Sequence, residues 1–383
     1  MRIGIDATNI GSSGTVNHLK EILTNLDPLM FNIEKVIIWS SKSTLSHIPD
    51  LPWIKSINAS KMTSSWFDLL GWHFKILYNE LLNERCDVLF VPGGLYLGKF
   101  RPYVAMAQNL LPFDKKERKR YRYSYNYFRY IILELLQKYT FKKAAGTVFL
   151  TNYSRKKIIT ESIGPINGVL KTIYHGVDKS FFNIKRQQKD IIKNGYTPIK
   201  LLYVSIINYY KNQTNVVKAI EMLIKKGYNV ELKLIGPAYF PALTELENLI
   251  SNNRILKNKI NYIGPVKIDL LKQYYNDSDI FIFASDCEAF GMILLEAMAS
   301  GLPIACSNKS SMPEILEENG EYFNSNIPIS ISKAIESLLK SKKKRIQYSN
   351  SAIKRAKHFT WEKCSKETFQ LISTINNKYS KKR

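Results

Sequence analysis

The sequence predicts an α/β protein made of two domains, each with a parallel sheet covered by helices. Three observations support this prediction. The chain has 383 residues, which is too many for one ordinary core and enough for two domains of roughly 150 to 200 residues. Short apolar runs alternate with helical patterns from residue 2 onward, which is the order of a parallel sheet wrapped by helices. This alternation stops once, at residues 183–198, and then restarts.

The first series of elements extends to residue 182 and forms the predicted N-terminal domain. Helical patterns lie around residues 16–26, after Trp66 and at 118–143. The strands are apolar on both faces, as in a sheet buried between helices. They are predicted in RIGIDA from Arg2, KVIIWS from Lys35, CDVLFVP from Cys86, YVAMAQ from Tyr103, GTVFLT from Gly146 and KTIYHG from Lys171.

The segment 183–198, NIKRQQKDIIKNGYTP, is polar and ends in turn-forming residues, which predicts an interdomain linker. A second domain then covers 199–360, with helices expected around 215–226, 243–251 and 270–276. Residues 361–383 are predicted as a terminal helix and basic tail, and KSKKKR at 340–345 as an exposed turn. The second set of strands is predicted in IKLLYVS, NVELKLIGP, KINYIGPV and DIFIFAS.

The composition is that of a soluble globular protein, with 45% hydrophobic and 23% charged residues. No charge-free apolar run of the length needed to span a bilayer is present, and the N-terminus lacks the pattern of a signal peptide. The four cysteines form no CxxC pair and have no histidine at metal-ligand spacing, so neither a disulfide framework nor a zinc site is expected. These features predict a cytoplasmic protein.

The formal charge of +24 is concentrated in one region of the chain. Between residues 101 and 200 there are 21 Lys and Arg but 6 Asp and Glu, a net +15. Within it, DKKERKRYRYSYNYFRY at 114–130 interleaves cations with tyrosines, and Trp66, Phe67 and Trp72 lie in another amphipathic stretch. Cations mixed with aromatic residues favour an anionic membrane surface. A single-stranded nucleic acid and a plain solvated face are the alternatives.

The stretch DCEAFGMILLEAMASGLP, residues 286–303, carries the most specific chemical signal. A strand ends at Ser285 and a helix is expected to begin near Phe290 or Gly291, where free backbone N–H groups bind phosphate well. Glu288 and Glu296 supply acceptors for sugar hydroxyls. A site that binds both a phosphate and sugar hydroxyls matches the chemistry of a nucleotide sugar. The alternative is that Glu288 caps the helix and Glu296 is a solvated helix residue.

This stretch resembles the glutamate-pair signature of retaining glycosyltransferases with the GT-B fold, in family 4. Such a fold has two Rossmann-like domains facing across a cleft, with a C-terminal helix that crosses back. The resemblance implies an N-terminal acceptor domain and a C-terminal domain for the sugar nucleotide. Further landmarks occur in the family's order, at LLYVSIINYYKNQ 201–213, LKLIGP 232–237, INYIGPV 260–266, FLTNYSRKKI 149–158 and IYHGVD 173–178.

The resemblance also implies roles for single residues in donor binding. Lys211 would be the cation beside the donor diphosphate and Glu288 would lie beside the transferred sugar, so both are candidate catalytic residues. Glu296 would bind the ribose, and the backbone of Ala289, Phe290 and Gly291 would hold phosphate and sugar. Gly264 would lie against the base. No cofactor and no metal are expected, because Lys211 and the helix dipole would stabilise the leaving diphosphate.

On the acceptor side, Gly14 and Thr15 resemble the family's glycine loop, followed by His18 as a structural residue. Gln108 and Asn109 stand where the family often has histidine and aspartate. A second departure is the pair Ser205 and Ile206, which replaces the family's Gly-Arg pair. These departures leave an inactive paralogue as an alternative to an active enzyme.

The predicted function is hexose transfer from a nucleotide sugar, GDP-mannose or a UDP sugar, to a glycan or lipid-linked acceptor. Cell-surface polysaccharide, including lipopolysaccharide and O-antigen, is the expected product. Retention by front-face attack is implied, with double displacement as the rival mechanism. The protein would work in the cytoplasm or on the inner face of the plasma membrane, with no nucleic-acid partner. A phosphorylase or an epimerase is the alternative enzyme class.

Overall fold

A computed structural model of the protein describes residues 1–11, 13–60, 66–183, 186–191 and 193–381. The chain forms two compact units. The first is Met1–Gly176 together with Phe359–Arg383, and the second is Val177–His358. Both contain a parallel sheet with helices, as the alternating pattern predicts.

The first unit is built on a parallel sheet whose strand order is β3-β2-β1-β4-β5-β6-β7. Four strands at its centre, β1, β4, β5 and β6, are almost wholly buried, because their side chains are apolar on both faces. The half-exposed β3 has no continuous apolar run, and for that reason the sequence pattern did not predict it. The strands are β1 (Arg2–Asp6), β2 (Lys35–Ser40), β3 (Ile54–Asn58), β4 (Val88–Val91), β5 (Tyr103–Ala107), β6 (Gly146–Phe149) and β7 (Val169–Thr172).

The helices of this part of the chain follow the strands. The longest begins within the basic segment 114–130 and is capped by Ser124, whose Oγ accepts a hydrogen bond from the Tyr127 N–H at 3.4 Å. The helices are α1 (Ser13–Thr24), α2 (Lys42–Leu45), α3 (Trp66–Gly71), α4 (Leu77–Asn83), α5 (Lys115–Arg118), α6 (Tyr125–Lys143) and α7 (Asn152–Ile158).

The second unit has a parallel sheet in the order β10-β9-β8-β11-β12-β13. The order reverses between β8 and β11, and the carboxyl ends of strands at such a switch point are where open α/β sheets bind ligands. The strands are β8 (Ile199–Val204), β9 (Val230–Ile235), β10 (Ile260–Gly264), β11 (Ile280–Phe283), β12 (Ile304–Ser307) and β13 (Glu321–Phe323).

Helices cover this sheet, and the segment expected as a linker belongs to the same unit. Arg186 donates a hydrogen bond to the Tyr275 carbonyl at 2.6 Å, and Arg345 donates to the Lys189 carbonyl at 2.6 Å. The prediction of an exposed turn at 340–345 is wrong for 342–345, which begin the helix Lys342–Ala356, and Arg345 is only 1% exposed. The helices are α8 (Gln213–Lys225), α9 (Phe240–Ser251), α10 (Ile268–Asp277), α11 (Met292–Ala299), α12 (Met312–Leu316), α13 (Pro328–Lys340) and α14 (Lys342–Ala356).

The last helix, α15 (Trp361–Ser380), belongs to the first unit. It buries Trp361, Phe369 and Ile372, and Ser365 Oγ donates a hydrogen bond to the Ile22 carbonyl at 2.6 Å. The chain therefore returns to the first unit after completing the second. Over the described ranges, every helix is too short or too polar to cross a membrane.

Candidate functional site

Two of the predicted site residues meet at the switch point of the second sheet. Lys211 follows β8 and Glu288 follows β11, which is the neighbouring strand. The Lys211 Nζ forms an ion pair with Glu288 Oε1. Lys211 is only 7% exposed. The strand order thus brings together a cation and a carboxylate that lie 77 residues apart in the sequence.

Tyr203 fixes the backbone of the lysine loop. Its hydroxyl donates to the Lys211 carbonyl at 2.5 Å and accepts from the Ala284 N–H at 3.2 Å. Burial raises the pKa of Tyr203 well above its usual value, so the hydroxyl keeps its proton and remains a donor. The Lys211 Nζ also lies 5.2 Å from the centroid of the Phe283 ring, within the range of a cation–π contact.

Serine side chains hold the glutamate loop from two sides. The Ser285 Oγ donates to Glu288 Oε1 at 2.6 Å, and the Glu288 N–H donates to the Ser310 Oγ at 2.8 Å. The Ser311 Oγ donates to the Phe290 carbonyl at 3.0 Å. The sequence reasoning missed Ser310 and Ser311. Both serines follow strand β12, and their position could have pointed to the site only if the pairing of β12 with β11 had been known.

Gly291 sets the beginning of helix α11. Its φ of +93° is a left-handed conformation that L side chains rarely adopt, and the helix begins at the next residue, Met292. A Cβ at Gly291 would come within 2.7 Å of the Met312 Cε. Ala289 and Phe290, which precede Gly291, are both buried. The start of a helix offers N–H groups to an anion.

Glu296 occupies the second turn of α11, away from the Lys211 ion pair. Its Oε2 accepts a hydrogen bond from the Tyr275 hydroxyl at 3.0 Å. Burial, with a smaller contribution from the negative charge of Asp178, raises the pKa of Glu296 to about 7, although the bond from Tyr275 opposes this rise. Tyr275 was another residue that the sequence did not single out, because a tyrosine on a helix carries no specific signal.

Gly264 ends β10 with a φ of +80°. A Cβ there would meet no atom within 4 Å, so the space beside it is open. The Gly264 carbonyl accepts from the Gly236 N–H at 2.9 Å, which ties the loops after β9 and β10 together. A loop that binds a nucleotide base needs a backbone that the base can approach closely. The role of Gly264 in binding the base stays a prediction.

The acceptor-side residues lie at the carboxyl end of the first sheet. Gly14 and Thr15 are in the first turn of α1, after β1, and Gln108 and Asn109 follow β5. The Gln108 Nε2 lies 3.4 Å from the His18 Nδ1 and donates to the Pro92 carbonyl at 3.2 Å. The α1 helix and the loop after β5 are therefore neighbours.

A cluster that the sequence spacing did not reveal lies beneath these residues. Ligand atoms of His18, His175 and Cys364 all lie within 4.8 Å of one another, and the three side chains are buried. These residue types can hold a metal. In the metal-free protein, burial raises the pKa of the Cys364 thiol to about 12 and lowers that of His18 to about 3, and the Trp361 ring packs against both imidazoles. We interpret the cluster as neutral core packing.

Comparison with known proteins identifies the second unit. Residues 184–355 match the model of a family described as glycosyl transferases group 1. The second unit is a group 1 glycosyl transferase domain. The resemblance to glycosyltransferases drawn from the sequence motifs is thereby confirmed at the level of group 1, and the matched residues span β8 to β13, including the loops that carry Lys211 and Glu288.

Curated relatives match part of the chain. An uncharacterised glycosyltransferase of Methanocaldococcus jannaschii is 27% identical over 209 residues, 52% of this chain and 52% of that protein. The O-antigen chain mannosyltransferase B of Escherichia coli is 34% identical over 116 residues, 30% of each. The chain spans about half or less of the length of these curated relatives.

The likeness to solved structures extends over both units. The Anabaena protein HepE, crystallised with UDP and glucose, superposes with a TM-score of 0.73 at 17% identity, covering 98% of this chain and 100% of that one. This likeness confirms the GT-B fold.

Within the group 1 glycosyl transferase domain, the place of the family's Gly-Arg pair contains no cation. Ser205 Oγ donates to the Ile206 carbonyl at 3.0 Å, and the Gln213 Nε2 donates to the same carbonyl at 2.9 Å. These bonds fix the loop after β8 through uncharged groups. Of the residues predicted to bind the sugar nucleotide, Lys211 is thus the one with a positively charged side chain.

Proposed function

We propose that the protein is a retaining glycosyltransferase of family 4 that moves a hexose from a nucleotide sugar to a glycan or lipid-linked acceptor. The observation that carries this proposal is the contact of Lys211 and Glu288 at the switch point, beside the start of α11. A cation, a carboxylate and a helix start are the groups that a sugar diphosphate requires.

Each donor residue has a separate role in this proposal. Lys211 leaves its ion pair with Glu288 to bind the diphosphate, where its charge stabilises the leaving group. Glu288 then accepts hydrogen bonds from the transferred sugar, held in place by Ser285 and Ser310. Glu296 accepts from the ribose hydroxyls while Tyr275 orients it. Backbone groups of Ala289, Phe290 and Gly291 hold the phosphate.

Retention follows front-face attack, in which the departing phosphate takes the acceptor proton. The reaction proceeds without a metal and without a cofactor, because Lys211 and the dipole of α11 supply the positive charge. The acceptor binds the first unit near Gly14, Thr15, Gln108 and Asn109.

GDP-mannose is the preferred donor, with UDP sugars as the alternative. The mannosyltransferase of Escherichia coli favours the first, and the UDP and glucose bound by the Anabaena protein favour the second. The product is cell-surface polysaccharide, a proposal that draws on the O-antigen relative. The reaction takes place on the cytoplasmic side, where the basic first unit is attracted to anionic lipid.

A thermal-shift panel of GDP-mannose, UDP-glucose, free nucleotides and an oligonucleotide tests the proposal. A ligand that binds only the folded state at about a hundred times its Kd stabilises it by about 2.7 kcal/mol. We expect one sugar nucleotide to raise the melting temperature. Lys211→Gln and Glu296→Gln should reduce that rise, whereas the exposed control Lys218→Gln should not. A shift by the oligonucleotide alone contradicts the proposal.

Incubation of the stabilising donor with and without lipid-linked acceptors separates transfer from rival chemistry. Donor conversion that needs the acceptor and gives an α-linked product from an α-linked donor supports a retaining transferase. An epimerase converts the donor alone, and a phosphorylase requires inorganic phosphate. Because no metal is proposed, EDTA should leave the transfer rate unchanged, and a loss that Mg²⁺ restores would refute this part.

A further inference from the structure

Helix α6 of the first unit buries mainly polar side chains and exposes a row of large apolar ones. Its buried side chains are Glu134, Gln137, Thr140 and Phe141. Glu134 pairs with Lys138 at 2.6 Å and with Arg118, and the Thr140 Oγ1 accepts from the Tyr96 N–H at 3.0 Å. These contacts satisfy the polar groups of the inner face, which is why that face can be buried.

The outer face of α6 carries a continuous row of large apolar and aromatic side chains. Tyr125, Phe128, Ile132, Leu135 and Tyr139 are between 45% and 73% exposed and recur at alternating intervals of three and four residues. That spacing aligns them on one side of the helix over about 21 Å. We call these five residues the α6 stripe. An exposed apolar row of this length is characteristic of an interaction surface.

Within the segment 114–143, which contains the α6 stripe, all exposed charge is positive. The sequence from 114 to 143 contains three acidic residues, and each is buried in an ion pair: Asp114 with Lys157, Glu117 with Arg120, and Glu134 with Lys138. The exposed cations of the same segment are Lys115, Lys116, Lys119, Arg122, Arg129, Lys142 and Lys143. This segment thus presents apolar and cationic side chains without exposed anions of its own; the exposed carboxylate of Glu161, on the short helix that contacts α6, is paired with Lys157.

This combination favours a lipid surface over other partners. A second copy of the chain would bring like charges together, which opposes self-association. Single-stranded nucleic acid would suit the tyrosines but not the aliphatic Ile132 and Leu135 in the middle of the stripe, since bases stack on aromatic rings. A helix lying in the plane of an anionic membrane buries an apolar face at the headgroup boundary while its cations meet lipid phosphates.

We propose that α6 docks on its side against an anionic membrane, with the α6 stripe inserted at the boundary of headgroups and acyl chains. This inference deepens the proposed function by defining the partner surface of the first unit, and it rests on that function only for the lipid-linked acceptor. Apolar insertion and charge attraction contribute together, so the binding has a part that salt screens and a part that it does not.

Co-sedimentation of the full chain with vesicles tests this proposal. Phosphatidylcholine vesicles and mixed phosphatidylcholine–phosphatidylglycerol vesicles are compared at low and high salt. We expect the protein to bind the mixed vesicles, with high salt weakening but not abolishing the binding. The double variant Phe128→Ser/Leu135→Ser should bind about tenfold more weakly at both salt concentrations. The double variant Arg129→Gln/Lys142→Gln should lose mainly the salt-sensitive part.

The double variant Leu29→Ser/Leu82→Ser removes two exposed leucines of the same unit that lie outside the stripe, and it should bind as the parent does. Equal binding by the stripe variant and the parent would overturn the proposal. So would a parent dimer that the stripe variant converts to monomer, since the stripe would then be a subunit interface.

Donor-induced stabilisation measured on the same samples distinguishes the two proposals. A stripe variant that responds to the donor but binds like the parent to vesicles refutes the membrane surface alone. A parent protein that binds vesicles but no sugar nucleotide refutes the proposed function alone.

Discussion

Lys211 and Glu288 form an ion pair that is largely shielded from water. Their side chains are 8% and 17% exposed. Removing one member of a largely buried ion pair leaves the other charge without compensation, whereas removing both avoids that penalty. Loss of either charge alone should therefore destabilise the second unit, apart from any effect on the proposed binding of the donor.

We expect Lys211→Ala and Glu288→Ala each to lower the free energy of unfolding by about 1 to 3 kcal/mol. The double variant should lose less than the sum of the two, by about 1 kcal/mol or more. Urea unfolding of the four proteins measures this coupling, with Lys218→Ala as the surface control. Additive losses would show that the ion pair carries no coupling energy.

The raised pKa of Glu296 predicts how the affinity for the donor depends on pH. The raised pKa of about 7 means that the carboxylate, the better acceptor for ribose hydroxyls, is fully present only above that pH. Donor affinity should therefore rise between about pH 6 and pH 8 and level off above it. Titration calorimetry should give a flatter profile for Glu296→Gln, whose amide does not ionise in this range. An identical slope in the variant would assign the titration to another group.

The same shift predicts an effect on stability with a definite sign. Because the pKa of Glu296 in the folded state, about 7, lies above the ordinary value of 4.5 for a glutamate, the unfolded chain releases its proton first. Stability is then lost as the pH rises from 4.5 through 7. At about pH 8, Glu296→Gln should be more stable than the parent by an amount on the order of 1 to 3 kcal/mol. Thermal unfolding at several pH values measures it, and no gain at high pH would contradict the burial of this charge.

At the scale of elements, the start of α11 depends on one backbone conformation. Gly291 adopts a φ of +93° immediately before the helix, and Gly264 adopts +80° at the end of β10. An alanine is strained at either position, but only at Gly291 would its Cβ also meet a neighbour, the Met312 Cε at 2.7 Å. The two glycines thus form a natural comparison.

We expect Gly264→Ala to cost about 1 kcal/mol of unfolding free energy, which is the backbone strain alone. Gly291→Ala should cost more, about 2 kcal/mol, because the Met312 side chain must also move. Chemical unfolding compares the two variants directly. A smaller loss at Gly291 than at Gly264 would show that the helix start tolerates a side chain.

Elements with continuous apolar runs could be predicted from the sequence, because burial on both faces leaves a clear pattern. The half-exposed strand β3 and the reversed polarity of α6 could not. The inner face of α6 contains Glu134 and Thr140, which are buried only because Arg118, Lys138 and the Tyr96 backbone satisfy them. Arg118 and Tyr96 lie outside the helix, so the pattern of the helix alone does not reveal that they satisfy its inner face.

The candidate site could be predicted as a set of loops but not as a set of contacts. Lys211 and Glu288 were expected after strands, yet their meeting depends on β8 lying beside β11. Ser310, Ser311 and Tyr275 reach the two glutamates through the same strand and helix order. This order is a property of the whole sheet.

At the scale of the whole molecule, the first unit is assembled from two separate parts of the chain. Helix α15 buries Phe369 and Ile375 in this unit and bonds to α1 through Ser365. Its apolar side is therefore part of the core that the residues before Gly176 form.

Phe369→Ala should lower the free energy of unfolding by about 3 to 5 kcal/mol, because it removes a fully buried aromatic side chain and leaves a cavity. The exposed neighbour Lys366→Ala on the same helix should change it by less than about 0.5 kcal/mol. Calorimetry of both variants checks this, and comparable stabilities would show that α15 packs only loosely.

The return of the chain to the first unit has a consequence for its synthesis. The ribosome makes residues 177–358, an uninterrupted segment, before it makes α15. Domains usually fold in the order in which they are translated, but here the second unit has all its residues while the first still lacks a helix. We expect the nascent first unit to leave the apolar surface beneath α15 uncovered until translation has passed residue 380, and chaperones to bind it during that interval.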